Sequence, residues 1–481
     1  MDSAPSLPVM PRSPTMACSP VMPRSPVMPR SPVMPGAGPA STPCDPGTKQ
    51  SEDVGDRPRH DGTHRPRLVV IGNGMAGVRA VEEILARAPG RFAITVFGAE
   101  PHGGYNRILL SPVLAGERHF ADIITHDRAW YEARGIELIA GEAVVAIDRT
   151  RQQVLGAHGT VRRYDVLLVA TGSDPVILPV SGADLPGVLG FRAISDVETM
   201  RDSCATGGRA VVIGGGLLGL EAAHGLSRNG MDVTVLHLMP HLMERQLDPE
   251  AARILADTLR ARGMRVLTDA RTRAVLGTDR VQGVALEDGR DIPVDLVVMA
   301  VGIRPNIALV RDAGLDCGRG LRVDDTMRTS DPAIFALGEC VEYRNEICGL
   351  LPPIWDMARV VADQVTGAGD ARYAPGLVAA RLKVSGIDTF SAGAFLGDAT
   401  TETIIYRDRA HGVYKRLVLR AGRLVGVVLL GDARDSGWYF DLLSHGDDLT
   451  ALRDGLAFGP EGVAGLPSND AQQADALRAA A

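Results

Sequence analysis

Between Arg67 and Glu339 the chain alternates short apolar runs with longer stretches of mixed character. The runs are "RLVVIG", "AITVFG", "DVLLVATG", "AVVIGG", "DVTVLH", "DLVVMAVG" and "AIFALGE". Each is apolar at nearly every position instead of every second one, as expected of a strand covered on both faces. Helical stretches such as "VRAVEEILARA" and "LEAAHGLSRNG" separate them. The alternation predicts a parallel sheet flanked by helices. From Leu377 the style shifts to alternating segments such as "VYKRLVLRAGRLVGVVLLG", where a tight "AG" turn is expected to join two antiparallel strands. A separate C-terminal α+β domain is predicted there.

Residues 1–66 are a different material. "SPVMPRSPVMPRSPVMPG" repeats a six-residue unit, and about half of the 31 prolines fall in this segment. Proline removes amide donors and fixes φ, so the expectation is a disordered, partly polyproline-II tail outside the fold.

The length of 481 residues and the hydrophobic content of 45% allow about three domains with sizeable cores. A net charge of -7 with scattered basic residues argues against a nucleic-acid partner. No apolar run is long enough for a membrane span, and the N-terminus lacks a signal-like apolar stretch. The six cysteines form no C-x-x-C and no regular framework, which reads as free thiols; a cytoplasmic setting is expected.

Candidate chemistry begins with a duplicated motif. Gly72, Gly74 and Gly77 fit G-x-G-x-x-G between a strand and a helix, and Gly214, Gly216 and Gly219 repeat it. The first glycine makes the tight turn, the second lets backbone approach a pyrophosphate, and the third lets helix and strand pack closely. Glu100 follows 23 residues after Gly77, placed to accept hydrogen bonds from an adenosine ribose. Two such cradles suit a flavin fed by a nicotinamide: one cradle for FAD, the other for NAD(P)H. The architecture expected is α/β, two interleaved Rossmann-like dinucleotide-binding domains plus the C-terminal α+β domain. Its predicted parts are FAD-binding residues 67–182 and 301–376, NAD(P)H-binding residues 183–300, and residues 377–481.

These residues resemble the two-dinucleotide-binding flavoprotein family, to which glutathione reductase, rubredoxin reductase and NADH-dependent nitrite reductases belong. "LLVATGS", with Ala170, Thr171 and Gly172, resembles the segment closing the first FAD half. "TSDPAIFALGE", with Gly338 and Glu339, resembles the late FAD fingerprint, glutamate replacing the usual aspartate on the ribityl chain. Where disulfide reductases of the family carry a cysteine pair, this chain reads "PHGGYNRILLSPVLAGE", so a dithiol mechanism is not expected. "YNRILLSPVLAGE", "VTVLHLMPHLMERQLD", "ALGECVEY" and "LKVSGIDTFSAGAFLGD" look like the flavin module of assimilatory NAD(P)H nitrite reductase large subunits, over about Arg67 to Gly459.

The resemblance implies roles near the chemistry. Glu221, read as lying in the first turn of its helix, takes the place of a glutamate close to the flavin and nicotinamide rings; the alternative is a helix-surface carboxylate. Its usual lysine partner is replaced by Pro112, and Arg107 is the nearest cationic substitute in sequence. The start of "PPIWDMARVVADQV", with Pro353 near its first position, can stabilise a reduced flavin through free amides, and Trp355 either shields the ring or sits in the core. His237 stands where an acid would select NAD, or is a surface imidazole; Arg245 can reach a 2′-phosphate, and the resemblance favours NADH. The candidate FAD set is Gly72, Gly74, Met75, Ala76, Gly77, Glu100, Arg107, Val144, Ala170, Thr171, Gly172, Gly338, Glu339 and Trp355. The candidate NAD(P)H set is Gly214, Gly216, Leu217, Leu218, Gly219, Glu221, His237 and Gly302. No metal site is expected.

After Cys348 no cysteine follows in this sequence, so thiolates for an iron–sulfur cluster or sirohaem are missing there. The expected acceptor is a separate iron–sulfur, sirohaem or molybdenum reductase. Rival readings are a rubredoxin or ferredoxin reductase and a flavoprotein sensor of NAD(H).

Overall fold

The protein's structure, a computed structural model, describes residues 65–384 and 386–464. The repeated proline-rich segment lies outside the described residues.

All seven apolar runs are strands, and they fall into two five-stranded parallel sheets built alike. The first has the order Ile334–Ala336, Val166–Val169, Arg67–Ile71, Ala93–Gly98, Glu137–Ala140. The second has the order Val188–Leu189, Leu296–Met299, Arg209–Ile213, Asp232–Leu236, Arg265–Leu267. Each sheet carries a three-stranded antiparallel appendage inserted before its returning strand: Val144–Asp148, Gln153–Gly156 and Val161–Arg163 in one, Thr272–Gly277, Val281–Leu286 and Asp291–Pro293 in the other. The first sheet closes only with Ile334–Ala336, which follows the entire second sheet in sequence. Two connecting segments, Ser173–Pro175 and Ile303–Pro305, pair antiparallel where the chain passes between the units.

The central strands are apolar throughout because both faces are covered. Leu68, Val70, Leu167 and Ile334 are fully buried in the first core, and Val212, Val235 and Val298 in the second. The helix Leu351–Thr366 packs on the helix Met75–Arg87, burying Ile354, Met357, Ala358 and Val361. It ends on Gly367 in a left-handed conformation.

The C-terminal sheet is antiparallel, in the order Ala379–Val384, Ile387–Gly393, Arg423–Leu430, Val413–Arg420, Glu402–Asp408. Its central hairpin turns on Ala421 and Gly422, both at positive φ, the two-residue turn whose twist matches that of the flanking strands. The sheet docks on the second unit. Tyr414, Val428 and Leu430 join the apolar cluster of that unit, and Tyr414 Oη donates to the buried Asp248 Oδ1 at 3.0 Å. Asp248 Oδ1 also caps the helix Pro249–Ala261 through the Glu250 and Ala251 amides. Arg407 pairs with Glu250 in a two-pronged bridge beside it.

Tyr414→Phe should therefore cost ~1.5–3 kcal/mol, because it strips a donor from a buried carboxylate. Urea unfolding followed by far-UV circular dichroism measures this. A loss no larger than that of exposed Arg407→Ala would show that the docking does not depend on the bond.

Candidate functional site

Each glycine motif is shaped by close approaches that a side chain would block. A Cβ on Gly72 would collide with the carbonyl oxygen of Ala170, and one on Gly77 with the carbonyl oxygen of Gly72. In the second motif a Cβ on Gly214 meets Ala300 and one on Gly219 meets Gly214 in the same way. Gly72 and Gly214 also need glycine for their backbone, at φ +115° and +123°. The middle glycines differ. Around a Cβ on Gly74 or Gly216 no atom of the other described residues lies within 4 Å, and both residues are extended. Packing demands the first and third glycines, whereas the second faces open space.

Those open positions are helix N-caps. Gly74 begins Met75–Arg87 and Gly216 begins Leu217–Arg228; neither helix has a side-chain cap, and neither has an acid in its first turn. The first-turn amides of Met75, Ala76 and Gly77, and of Leu217, Leu218 and Gly219, are thus turned toward a space suited to an anion. Both cradles fit a dinucleotide diphosphate on this geometry. The segments Ala170-Thr171-Gly172 and Ala300-Val301-Gly302 border them alike, Ala170 N donating to Ile71 O and Ala300 N to Ile213 O, both at 2.8 Å.

Glu100 lies beyond the end of its strand, half-buried. Its carboxylate accepts from Tyr105 Oη at 2.9 Å and from Arg107 Nη2 at 2.8 Å. Two donors leave lone pairs free for sugar hydroxyls. Arg107 is completed by the carbonyl of Arg192 at 2.9 Å. This corrects the expectation that Arg107 stands in for a cation beside Glu221, because both ends of its guanidinium are taken up elsewhere. Val144 is half-buried at the start of its strand and packs against the first core.

Glu221 is the fifth residue of its helix, in the second turn and not the first. It meets a hydroxyl: Ser111 Oγ donates to Glu221 Oε2 at 2.5 Å. The contact follows from packing. Gly225, one turn on, lets Leu114 press against the helix, where a Cβ would come within 2.6 Å of Leu114 Cγ, and Asn229 Nδ2 grips the Leu114 carbonyl at 2.6 Å. The short helix Leu110–Leu114 is thereby pinned with Ser111 over Glu221. Burial raises the Glu221 carboxyl to about 7, opposed in part by the Ser111 hydrogen bond. It is not a free surface carboxylate, and among the described residues it forms no ion pair.

Glu339 is held by two groups that sequence reading missed. Ser173 Oγ donates to Glu339 Oε2 at 2.7 Å, and Arg192 forms an ion pair with the same oxygen. Arg192 Nε also reaches the Ser173 carbonyl at 3.1 Å. Thr171 Oγ1 donates to the Asn306 carbonyl at 2.7 Å, and Asn306 N returns a bond to Gly172 O at 2.9 Å. Gly338, at φ +89°, lies against Ala76 of the cradle helix.

Trp355 is half-buried and lines a cleft of about 220 Å³ with Met75, Val78, Arg79, Tyr105 and Asn106. It is a wall residue, not a core one, with the Arg79 guanidinium 5.9 Å from its ring. The helix it belongs to starts at Leu351, with prolines in the first turn and no side-chain cap. His237 is buried, which removes the surface-imidazole reading. Its Nδ1 accepts the Gly215 amide at 3.0 Å and its Nε2 lies 3.1 Å from Glu244 Oε2. Arg245 is exposed. Among the described residues no cluster of His, Cys, Asp and Glu could hold a metal ion, and no helix is long and apolar enough to cross a membrane.

Comparison with known proteins shows the family and the fold. Residues 66–365 match the family described as Pyridine nucleotide-disulphide oxidoreductase, and residues 379–446 match Rubredoxin NAD+ reductase C-terminal domain. The chain is 46% identical over 386 residues to the "Nitrite reductase [NAD(P)H]" of Bacillus subtilis (strain 168), covering 80% of this chain and 48% of the relative. It is 42% identical over 389 residues to the "Assimilatory nitrate reductase electron transfer subunit" of the same organism, covering 81% of this chain and 50% of the relative. The chain thus spans about half the length of these curated relatives. Among solved structures, the ferredoxin reductase for the CYP199A2 system from Rhodopseudomonas palustris superposes with a TM-score of 0.71 at 29% identity, over 78% of this chain and 93% of that one.

Two outcomes are expected. Gly74→Val should fold within ~1 kcal/mol of the parent, the cost of a poor N-cap, yet lose its flavin absorbance, whereas Gly77→Ala should impair folding itself; full flavin content in Gly74→Val rejects the first cradle. For Glu221 the raised carboxyl means that the folded state binds the proton more tightly than the unfolded chain, so its contribution is complete below an ordinary 4.5 and is lost as pH rises through about 7. Glu221→Gln should then gain up to ~3 kcal/mol over the parent at pH 8 and nothing at pH 4. Denaturant melts at the two pH values test this, and a pH-independent difference would refute it.

Proposed function

We propose, because the chain belongs to the pyridine nucleotide-disulphide oxidoreductase family, that it carries electrons from NAD(P)H through FAD to a separate redox protein. The acceptor in this reading is a nitrite or nitrate reductase of nitrogen assimilation, in a cytoplasm where the thiols stay reduced; the names of the two Bacillus relatives support that destination. The observation that carries the reading is the pair of uncapped helices, each entered through a glycine facing open space.

When bound, FAD accepts a hydride from NAD(P)H and releases electrons singly. The chain's residues supply placement and electrostatics. Amides of Met75, Ala76 and Gly77 would hold the FAD diphosphate, with Glu100 accepting from its adenosine ribose. Those of Leu217, Leu218 and Gly219 would hold the nicotinamide diphosphate. Glu339, kept in place by Ser173 and Arg192, would accept from the ribityl chain. Glu221, with its carboxyl raised to about 7, can carry a proton at neutral pH while keeping its hydrogen bond with Ser111. No cysteine stands between Pro101 and Glu117, so the electrons have no dithiol to pass through there.

A second reading, a ferredoxin or rubredoxin reductase, is supported by the C-terminal match and by the ferredoxin reductase superposition. The test uses the flavin-loaded protein mixed anaerobically with NADH or NADPH. Gly216→Val should keep the flavin yet slow its bleaching by at least ~100-fold, because a side chain then stands against the diphosphate; unchanged reduction rejects the second cradle. Reoxidation of the bleached protein by purified nitrite reductase, nitrate reductase, ferredoxin or rubredoxin identifies the acceptor. Slow bleaching with a long-lived charge-transfer band and no carrier turnover would favour a sensor.

A further inference from the structure

The hydrogen bond between Ser111 and Glu221 joins the segment that follows one cradle to the helix that opens the other. Ser111 lies just beyond Arg107, which bonds the first cradle's acid, Glu100. Glu221 lies roughly 7 Å along its helix from the N-cap Gly216, where the second cradle begins. The helices Leu110–Leu114 and Leu217–Arg228 pack together, with Gly225 and Asn229 fixing the contact. Among the described residues Ser111 is the only hydrogen-bond partner of the Glu221 carboxyl. The bond goes to Oε2 and leaves Oε1 open to a proton.

No fixed counter-charge meets that carboxyl among the described side chains. The helix Leu110–Leu114 carries no charged residue, and Arg107 is taken up by Glu100 and the Arg192 carbonyl. On its own helix the nearest titratable group is His224, one turn on, which burial holds below its ordinary value and so neutral at pH 7; Arg228 is two turns on. Of the other elements packed on this helix, Ile194–Ala205 brings Asp196, which accepts from the Arg192 and Ala193 amides. The two neighbouring strands begin with Arg209, paired with Asp295, and Asp232, paired with Arg265. Arg381 of Ala379–Val384 is exposed. Burial and the Ser111 bond are the two causes of the shift that takes Glu221 to about 7. A carboxyl so placed responds to any new charge within reach: a like charge raises it further, and a proton follows. An electron pair delivered as hydride adds one negative charge to a flavin.

We propose that Glu221, with Ser111 as its positioning residue, lies within electrostatic reach of the flavin, takes up a proton from solvent when an electron pair arrives there, and returns it when the electrons leave. NAD(P)H gives up a hydride and becomes NAD(P)+, the flavin gains that hydride, and the Glu221 carboxylate gains a proton from water at Oε1. On discharge two electrons pass to the acceptor, and the hydride's proton and that of Glu221 both return to solvent. The charge on the flavin is thereby offset by a proton instead of a fixed cation. The assignment rests on the first cradle being the FAD site.

The test is the pH dependence of the flavin's redox equilibrium in the flavin-loaded protein, read from its absorbance against electrode potential with no nicotinamide present. At a fixed potential, a two-electron couple that binds one proton changes its reduced-to-oxidised ratio ~10-fold per pH unit, and one that binds two changes it ~100-fold. Around pH 8 the parent is expected to change by at least ~30-fold per unit and Glu221→Gln, which cannot ionise, by ~10-fold. Ser111→Ala removes a donor that favours the charged carboxylate, so the steep stretch should move to higher pH by about one unit. Equal slopes in the parent and Glu221→Gln overturn the proposal, and a steep stretch that Ser111→Ala leaves in place overturns the role of Ser111. A protein that takes up no flavin overturns the reading of the first cradle as well, whereas bound flavin with a ~10-fold slope in the parent overturns this inference alone.

Discussion

The architecture turns on one short-range constraint, the approach of a helix start to the carbonyls at the end of a sheet. In each half the third glycine of the motif lies against the carbonyl of the first, and the first against the carbonyl of Ala170 or Ala300. No side chain can stand at either place. Because helix and strand meet this closely, the helix begins at the sheet edge with its free amides turned outward. A larger residue there would lift the helix away and dissolve the anion site along with the packing. The middle glycine is not required by the fold, since no atom of the described residues crowds a Cβ on Gly74 or Gly216.

Duplication explains much of the remainder. Two five-stranded sheets, each with its antiparallel appendage, share the same hydrogen-bond register around the cradle, yet the side chains between matching backbones have diverged. Asn73 and Gly98 in one half correspond to Gly215 and His237 in the other, an exchange of bulk across a single contact. The backbone is conserved between the halves because the glycine approaches permit little else. The polar groups at the sugar end are free to differ. The antiparallel C-terminal sheet is anchored to one half alone, through Tyr414 and Asp248 and a shared apolar cluster.

Electrostatics at the site come from pairs brought together both across long stretches of chain and within a single loop. Arg192 and Ser173 orient Glu339, and Arg107 and Tyr105 orient Glu100. Glu221 is the exception: among the described residues it meets a hydroxyl and no cation, so burial prevails and its carboxyl rises to about 7. A carboxyl that can be neutral at physiological pH can donate a hydrogen bond as well as accept one, which a salt-bridged acid cannot.

The amino-acid sequence by itself determined the seven buried strands, the two glycine turns and the tight Ala421-Gly422 hairpin. Each of these is a local requirement: apolar residues at consecutive positions, or backbone space that only glycine leaves. It also offers no cysteine for a dithiol between Pro101 and Glu117. Tertiary structure alone decided which polar groups meet. Ser111 reaches Glu221 because Leu114 packs on Gly225, and Arg192 reaches Glu339 across 147 positions. Arg107 turns to Glu100 because the loop carries both to one place, and His237 is buried because Gly215 leaves room for it. Such pairings have no periodicity to betray them; they depend on the distance between loops that only the packed sheets and helices bring together.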